Sequence, residues 1–167
     1  PTNAVRNSEI FRNYMDSPKH DDFDYRSLSL LAASDRVQHV NKIIEPQLRS
    51  GKIVLSDRYY YSCLANLRAR GYKNDKWIYE IASSVIEPDI AFFFDVPVEI
   101  AVARVRLRPE EKDRYIDMRL QYRLRDEYID IAERNNGILI SNVQSEDDSY
   151  ALVLKSVKEL LKREKEN

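Results

Sequence analysis

The sequence has few of the residues that form disulfides, cysteine-ligated metal sites and glycine-rich loops. Cys63 is the single cysteine among 167 residues, which excludes an internal disulfide and a cysteine-based zinc site. Glycine occurs only at positions 51, 71 and 137. Because no Gly-x-x-x-x-Gly-Lys-Ser/Thr motif is present, these residues cannot form the loop that surrounds phosphate groups in many nucleotide-binding proteins.

Charge of one sign and long apolar runs are also missing. The chain carries 27 basic and 28 acidic residues, a formal net charge of −1, so no general basic field exists to attract nucleic acid or a membrane surface. No run of about 18 apolar residues and no signal peptide is present. We therefore expect a soluble cytoplasmic protein with no nucleic-acid or membrane partner. The length suits a single domain over 1–167.

A short apolar stretch ends in two charged residues. Residues 53–56 are predicted to form a buried strand. Asp57 and Arg58 follow it directly, and ligands of open α/β sheets bind at the carboxyl ends of the strands. Asp57 is therefore a candidate to hold Mg²⁺ through water, and Arg58 to bind a phosphate with its guanidinium. The alternative is a structural ion pair that closes the strand.

Residues 26–49 carry the longest helical pattern. Arg36 lies one turn from apolar residues on either side, so it points to the apolar face and needs an anionic partner. That partner is either a nearby carboxylate or a substrate phosphate. Pro46 is expected to kink or fray the last turn, and Gly51 to end the helix. The predicted inner face consists of Leu28, Leu31, Ala32, Val40, Ile43, Ile44 and Leu48.

The rest of the chain alternates helices with short apolar strands. Without hairpin turn signals between them, this alternation predicts a parallel sheet in an α/β fold. Strands are predicted at 90–95 and 138–140. Helices are predicted at 8–16, at 76–86 with Asp75 as N-cap, at 98–107, at 117–134, and from a Ser145 cap to about Lys162. Residues 17–24 are predicted to be a connection.

Two local features allow both a structural and a functional interpretation. Four arginines fall within 104–114, where Pro109 interrupts them; such a segment is either a solvated face or part of a site. Tyr59, Tyr60 and Tyr61 follow one another and cannot share one environment on a helix. At least one of them is predicted to line a pocket, although tyrosine is common in cores too.

Five stretches, in their order and spacing, resemble the thymidylate kinase family of P-loop nucleoside-monophosphate kinases. The Asp-Arg-Tyr sequence at 57–59 followed by Ser62, with an Asp-Arg pair upstream at 35–36, is a fairly specific match. The resemblance extends over essentially the whole chain. The matching stretches are 30–40 (LLAASDRVQHV), 54–59 (VLSDRY), 94–97 (FDVP), 112–115 (KDRY) and 124–128 (LRDEY).

The resemblance implies an α/β fold with a three-layer, P-loop-like parallel sheet and helices on both faces. It also implies that 1–167 is the C-terminal portion of one thymidylate-kinase-like domain, with a lid at about 106–116. In the family the phosphate-binding loop lies on the first βα unit, upstream of the position that matches Pro1. The chain is therefore expected to lack the first βα unit and the second strand, and to be inactive without an upstream P-loop.

The implied reaction is transfer of the γ-phosphoryl group of ATP to dTMP with Mg²⁺, a step of dTDP biosynthesis. Positive charge on the lid would stabilise the transferring group. A homodimer is also expected, because the family often pairs through its helices. The implied catalytic residues are Asp57, which would hold Mg²⁺ through water, Arg58, Arg108 and Arg114. The implied substrate-binding residues are Arg36, Arg58, Ser62, Asn66 and Tyr115, and the lid residues are Arg106, Arg108 and Arg114.

Two residues depart from the family pattern at the base-binding end. Ala32 stands where the family usually has a phenylalanine that stacks on thymine, and Asn66 stands where an aromatic is usual. These changes put thymine specificity in question and leave the phosphate-binding residues in place. One alternative is a related deoxynucleoside kinase or other nucleotide kinase. Another is a non-catalytic binding or assembly relative without a P-loop.

Overall fold

Residues 2–16, 24–74, 76–143 and 145–166 are described by the structure, a computed structural model. The chain divides into two units, Pro1–Glu87 and Pro88–Asn167. The predicted connection at 17–24, except Asp24, and the predicted N-cap Asp75 lie outside the described residues.

The first unit is helical wherever its described part has regular secondary structure. The helix predicted at 8–16 is confirmed, and the helix predicted at 76–86 is shorter than expected. The longest helix of this unit packs against the helices Tyr60–Ala69 and Trp77–Ala82, which also contact each other. The helices are α1 (Asn3–Arg6), α2 (Glu9–Asp16), α3 (Tyr25–His39), a π-helical turn (Val40–Ile44), α4 (Glu45–Arg49), α5 (Tyr60–Ala69) and α6 (Trp77–Ala82).

The helix predicted at 26–49 is present, with a change of hydrogen-bond register near its end. The N–H of Glu45 bonds the carbonyl of Val40, five residues back. Pro46 has no N–H to donate to the preceding turn, and the widened π-helical turn lies directly before it. The extra residue in this turn rotates the side chains around it. Ile43, predicted to face inward, is instead 52% exposed.

Gly51 ends this helix as predicted. Its φ of 77° lies in the left-handed region that glycine adopts without a Cβ clash. The N–H of Gly51 bonds the carbonyl of Leu48 at 2.9 Å, and the N–H of Lys52 bonds that of Gln47 at 3.2 Å. These two bonds satisfy carbonyls that the helix end would otherwise leave open.

The buried strand predicted at 53–56 is wrong. These residues have no regular secondary structure, and the side chains of Ile53 and Leu55 are 66% and 88% exposed. Val54 packs inward against the helical core. A strand needs a neighbour to pair its N–H and C=O groups, and in the described ranges only two other segments form strands, which pair with each other.

The second unit contains a small parallel sheet with helices packed on it. The strands predicted at 90–95 and 138–140 are present as β1 (Phe92–Asp95) and β2 (Ile138–Ser141), paired in parallel from Phe92 with Ile138 to Asp95 with Ser141. Helix Met118–Arg134 contacts both strands and also packs against helix Val98–Arg106, and helix Glu146–Glu166 contacts β2. The helices are α7 (Val98–Arg106), α8 (Met118–Arg134) and α9 (Glu146–Glu166).

Local capping explains why α8 and α9 begin where the sequence predicts. The carboxylate of Asp117 accepts the N–H of Leu120 at 3.0 Å at the start of α8. The hydroxyl of Ser145 accepts the N–H of Asp148 at 3.2 Å at the start of α9. Helix α9 continues to Glu166, beyond the predicted end at Lys162.

No helix in the described ranges combines the length and apolar character needed to cross a bilayer.

Candidate functional site

The segment that carries Asp57 and Arg58 is anchored on both sides. Val54 before it and Tyr59 after it pack against a core cluster of Val40, Ile44 and Val85. Asp57 and Arg58 lie between these anchors and are exposed. The two charged side chains are therefore presented to solvent by a short segment whose ends are held.

Arg58 has an unusual backbone conformation. Its φ of 63° is in the left-handed region that non-glycine residues rarely adopt. The hydroxyl of Ser56 donates to the Arg58 carbonyl at 2.9 Å, which closes a tight turn. Within the described chain, neither Asp57 nor Arg58 forms an ion pair. The predicted alternative of a strand-closing ion pair is therefore not found here.

Asp35 and Arg36 are neighbours on α3 with different partners. The carboxylate of Asp35 accepts the backbone N–H of Thr2 at 2.7 Å and also its hydroxyl proton. Arg36 is half-buried, and its Cζ lies 5.3 Å from the centroid of the Tyr59 ring. No carboxylate pairs with Arg36 among the described residues. Its guanidinium thus keeps its hydrogen-bond donors available for an anion.

Tyr59 is fixed at its hydroxyl as well as at its backbone. The hydroxyl donates to the carbonyl of Ile86 at 2.8 Å, and the ring meets that of Tyr60 edge-on with centroids 5.4 Å apart. Burial raises the pKa of the Tyr59 hydroxyl, and Arg36 acts in the opposite direction. The hydroxyl is therefore protonated near neutral pH and remains a donor.

Tyr60 lines a small cavity, as predicted for at least one tyrosine of this run. The cavity measures about 10 Å³, which is the space that a single water molecule needs. Arg36 and Cys63 are among the other lining residues. Burial raises the pKa of the Cys63 thiol, so this cysteine is a weak nucleophile at neutral pH.

Ser62 and Asn66 both lie half-buried on α5. The side-chain amide of Asn66 donates to the carbonyl of Ser62 at 2.9 Å, and its oxygen accepts from Arg70 Nη1 at 2.9 Å. The Arg70 guanidinium also stacks on the ring of Tyr25, with Cζ 3.8 Å from the centroid. Asn66 is thus held by contacts with Ser62 and Arg70 near its own helix, and Arg70 is the neighbouring side chain with further hydrogen-bond donors.

The arginines predicted to form the lid lie in the second unit and have different roles. Arg106 Nη1 donates to the backbone carbonyls of Lys112 and, at 2.7 Å, of Arg114, so it holds the loop after α7 in shape. Arg108 and Arg114 flank the carboxylate of Glu111 at 3.4 and 3.8 Å. Both are exposed on this loop, as is Tyr115.

A pair at the carboxyl end of β1 was not predicted from the sequence. Arg125 binds Asp95 with two hydrogen bonds, Nε to Oδ1 at 2.7 Å and Nη2 to Oδ2 at 2.8 Å. The Arg125 guanidinium lowers the pKa of the Asp95 carboxyl. Both residues lie in stretches that match the family, but sequence spacing gave no sign that they meet. The Tyr59–Arg36 contact was missed for the same reason. Glu111 with Arg108 and Arg114, and Arg70 with Asn66, are three or four residues apart, so their spacing could have indicated these contacts.

Of the predicted site residues, Arg36, Asp57, Arg58, Ser62 and Asn66 belong to the first unit, and Arg106, Arg108, Arg114 and Tyr115 to the second. Arg36 is brought to Tyr59, the residue after Arg58. In the described ranges no three His, Cys, Asp or Glu side chains gather at metal-binding distance. Asp57 is an exposed carboxylate without an ion-pair partner there, which fits a metal held mainly by substrate phosphates and water.

Comparison with known proteins gives one consistent result. The family model for thymidylate kinase matches residues 2–151. A probable thymidylate kinase of Thermococcus kodakarensis is 37% identical over 118 residues, 71% of this chain and 57% of the relative. A thymidylate kinase of Geobacillus sp. is 32% identical over 163 residues, 92% of this chain and 77% of the relative.

A solved structure, that of thymidylate kinase from Ehrlichia chaffeensis, superposes with a TM-score of 0.65 at 26% sequence identity. The match covers 90% of this chain and 76% of that chain. Against three Thermococcus relatives, the chain spans only 56 to 66% of the relative's length.

Proposed function

The chain belongs to the thymidylate kinase family, and from this premise we propose that the full-length protein transfers the γ-phosphoryl group of ATP to dTMP. The acceptor phosphate is already an anion, so no general base is needed. Catalysis then depends on positioning the two phosphates and on neutralising their charge.

The acceptor-phosphate end is the best-supported part of the proposal. Arg36 is half-buried, faces a ring rather than a carboxylate, and so keeps a positive charge that no described acid neutralises. Arg58 adjoins that ring and is held in a strained turn. Strained backbone in a charged, exposed turn is typical of functional sites. Two guanidiniums at this end suit a dianionic monophosphate, which each can bind with two hydrogen bonds.

The donor end requires groups outside these residues. A glycine-rich loop that surrounds the phosphates of ATP is absent from the 167 residues, so the assay belongs on the full-length protein. Mg²⁺ would supply Lewis-acid charge at the phosphates, and Asp57 would hold it through water. Arg108 and Arg114 of the loop after α7 would exchange Glu111 for the transferring phosphoryl group. We further propose the three-layer P-loop fold for the complete domain. The homodimer and the cytoplasmic location stay predictions.

A different acceptor base is the second candidate function. Ala32 has no ring to stack on thymine, and the amide of Asn66 is already engaged with Ser62 and Arg70. These contacts favour a pocket that reads the base with Arg70 rather than with an aromatic at position 66. A guanidinium donates to the carbonyl oxygens that uracil and thymine share, so such a pocket would accept dUMP as well as dTMP.

The proposal is tested by steady-state phosphoryl transfer with the full-length protein, ATP and Mg²⁺. The acceptors are dTMP, dUMP, dCMP, AMP and thymidine. We expect dTMP to give the highest kcat/KM, and Arg58→Ala to lower it more than about a hundredfold. Arg49→Ala is the matched control, because Arg49 is an exposed arginine paired with Glu45 on its own helix. A loss within tenfold for Arg58→Ala would refute the proposed role of Arg58.

The acceptor panel also separates the alternatives. A clear preference for another monophosphate or for a nucleoside would replace dTMP with that acceptor. Absence of both ATP hydrolysis and transfer in the full-length protein would instead favour a non-catalytic binding relative.

A further inference from the structure

A tyrosine ring, rather than a carboxylate, faces the guanidinium of Arg36. Its Cζ lies 5.3 Å from the centroid of the Tyr59 ring, within the distance at which a cation and an aromatic face attract each other. In the described part of the chain no acid pairs with Arg36. The Tyr59 ring is thus a partner that restricts where this guanidinium points.

The ring is itself held rigidly. Tyr59 directly precedes α5, and its carbonyl accepts the N–H of Ser62 at 3.1 Å. At the other end of the side chain, the hydroxyl donates to the carbonyl of Ile86 at 2.8 Å. Tyr59 and Tyr60 also pack against the core cluster that includes Val40, and their rings meet edge-on. A side chain fixed at both ends can serve as a platform.

A ring and a carboxylate would have different effects on Arg36. A carboxylate would neutralise the guanidinium and occupy its donors. An aromatic face attracts the cation through its quadrupole and leaves the N–H groups at the rim of the guanidinium available. A phosphate that approaches Arg36 therefore meets a cation that is already oriented and still fully charged. Less side-chain entropy is then lost on binding.

The position of Tyr59 in the chain connects the ring to the second phosphate-binding arginine. Tyr59 follows Arg58, whose left-handed turn is closed by Ser56. The same short segment thus presents Arg58 and supports Arg36. A shift of the segment would move Arg58 together with the ring that faces Arg36.

We propose that Tyr59 is a positioning residue, whose ring orients the Arg36 guanidinium to receive the monophosphate of the acceptor nucleotide. This inference rests on the proposed function in one respect, namely that the acceptor is a monophosphate. In this proposal Tyr59 does not itself contact the acceptor phosphate. Its hydroxyl holds the ring in place through the hydrogen bond to the Ile86 carbonyl.

The test is a double-mutant cycle on ligand binding in the full-length protein. Isothermal titration calorimetry measures Kd for dTMP and for thymidine, and the ratio Kd(thymidine)/Kd(dTMP) reports the contribution of the phosphate. The variants are Tyr59→Leu, Arg36→Ala, the double variant, and Tyr59→Phe. Tyr72→Leu is the matched control, since that ring lies under a different guanidinium, that of Arg26, at 4.4 Å.

Tyr59→Leu is expected to lower the ratio between about twofold and thirtyfold, the range of a cation–π contact. In the Arg36→Ala background the same change is expected to have no further effect on the ratio. Tyr59→Phe keeps the ring and is expected to restore the ratio to within about threefold of wild type. Tyr72→Leu is expected to leave the ratio unchanged.

Three results would overturn the proposal. The first is a ratio Kd(thymidine)/Kd(dTMP) in Tyr59→Leu equal to that of wild type, and the second is an equal fall of this ratio on Tyr59→Leu with and without Arg36. The third is a wild-type protein that binds no monophosphate more tightly than the corresponding nucleoside. If Tyr59→Leu does not fold, Tyr59→Met is used in its place, because methionine is a flexible apolar side chain that fills irregular space without a ring. Transfer to dTMP is assayed separately, so a protein that fails as a dTMP kinase can still pass or fail this cycle.

Discussion

Arg125 holds Asp95 at the carboxyl end of β1 with two parallel hydrogen bonds, Nε to Oδ1 at 2.7 Å and Nη2 to Oδ2 at 2.8 Å. The carbonyl of Asp95 also accepts the N–H of Asn142, the residue after β2, at 2.7 Å. The contact therefore ties α8 to the end of the sheet. The carboxylate of Asp95 at the end of β1 thus has a structural partner, whereas Asp57 lies in a segment without regular secondary structure and has no ion-pair partner in the described ranges.

This pair makes stability depend on pH in the acid range. Arg125 lowers the pKa of the Asp95 carboxyl in the folded protein, so the ionised form is favoured by folding. Its stabilisation is complete above the ordinary aspartate pKa of about 3.9 and is lost as the pH falls through the lowered folded value. Urea unfolding of wild type and Asp95→Asn should differ at pH 7, and the difference should shrink towards pH 2. A difference that stays constant from pH 7 to pH 2 would contradict this assignment.

Gly137 is expected to tolerate no Cβ. A Cβ built there lies 2.5 and 2.8 Å from two carbon atoms of the Phe93 ring and 3.3 Å from the Cα of Ala132. Gly137→Ala should therefore destabilise the protein by about 1–3 kcal/mol through overpacking. Urea unfolding measures the loss. Gly51→Ala is the control, because a Cβ there meets open space and only the positive φ of 77° opposes it.

The cause of the Gly137 effect can be separated from general damage. Phe93→Leu should reduce the penalty of Gly137→Ala, because the ring atoms that clash are removed. The same change should leave the penalty of Gly51→Ala unaltered. Equal penalties for Gly137→Ala with and without Phe93 would place the strain elsewhere.

Arg58 should show a conflict between stability and activity. Its left-handed φ costs an L-residue roughly 1–2 kcal/mol. Arg58→Gly relieves this strain but adds freedom to the unfolded chain, which costs about 0.5–1 kcal/mol. We expect Arg58→Gly to be more stable than Arg58→Ala by up to about 1.5 kcal/mol, with transfer activity lost in both. A more stable Arg58→Ala would show that the turn is not strained.

Local signals in the sequence predicted most of the helices. Asp117 and Ser145 cap α8 and α9 with their own side chains, and Gly51 ends the long helix through its own backbone. Such signals act within a few residues, so they can be read from the sequence. The parallel pairing of β1 with β2 followed from the alternation of elements.

The failures involve either partners distant in the sequence or a local change of helix register. Residues 53–56 have the composition of a strand, but strand formation depends on a neighbouring strand. The outward turn of Ile43 follows from a π-helical register that apolar periodicity does not report. The ring of Tyr59 reaches Arg36 only because α3 passes the start of α5. Residue types thus predicted candidate phosphate ligands, whereas the groups that lie beside these ligands could be identified only from the structure.

Arg106 at the end of α7 has two possible roles, one on the substrate and one in holding the loop that follows. The family resemblance makes Arg106 a charge on the lid, whereas its guanidinium donates to the carbonyls of Lys112 and Arg114 within the loop. Arg106→Ala should free the loop and leave Arg108 and Arg114 poorly positioned.

Trypsin should then cleave Arg106→Ala faster at Lys112 and Arg114 than it cleaves wild type, since cleavage follows local opening. In the proposed reaction kcat should fall at least about tenfold through lost positioning, with KM for dTMP changed by less than about threefold. Arg106→Lys, with one ammonium in place of the guanidinium, should recover part of both effects. Arg119→Ala removes an exposed arginine from α8 and is the control. If kcat falls while loop cleavage stays at the wild-type rate, Arg106 acts on the substrate directly and the structural role is wrong.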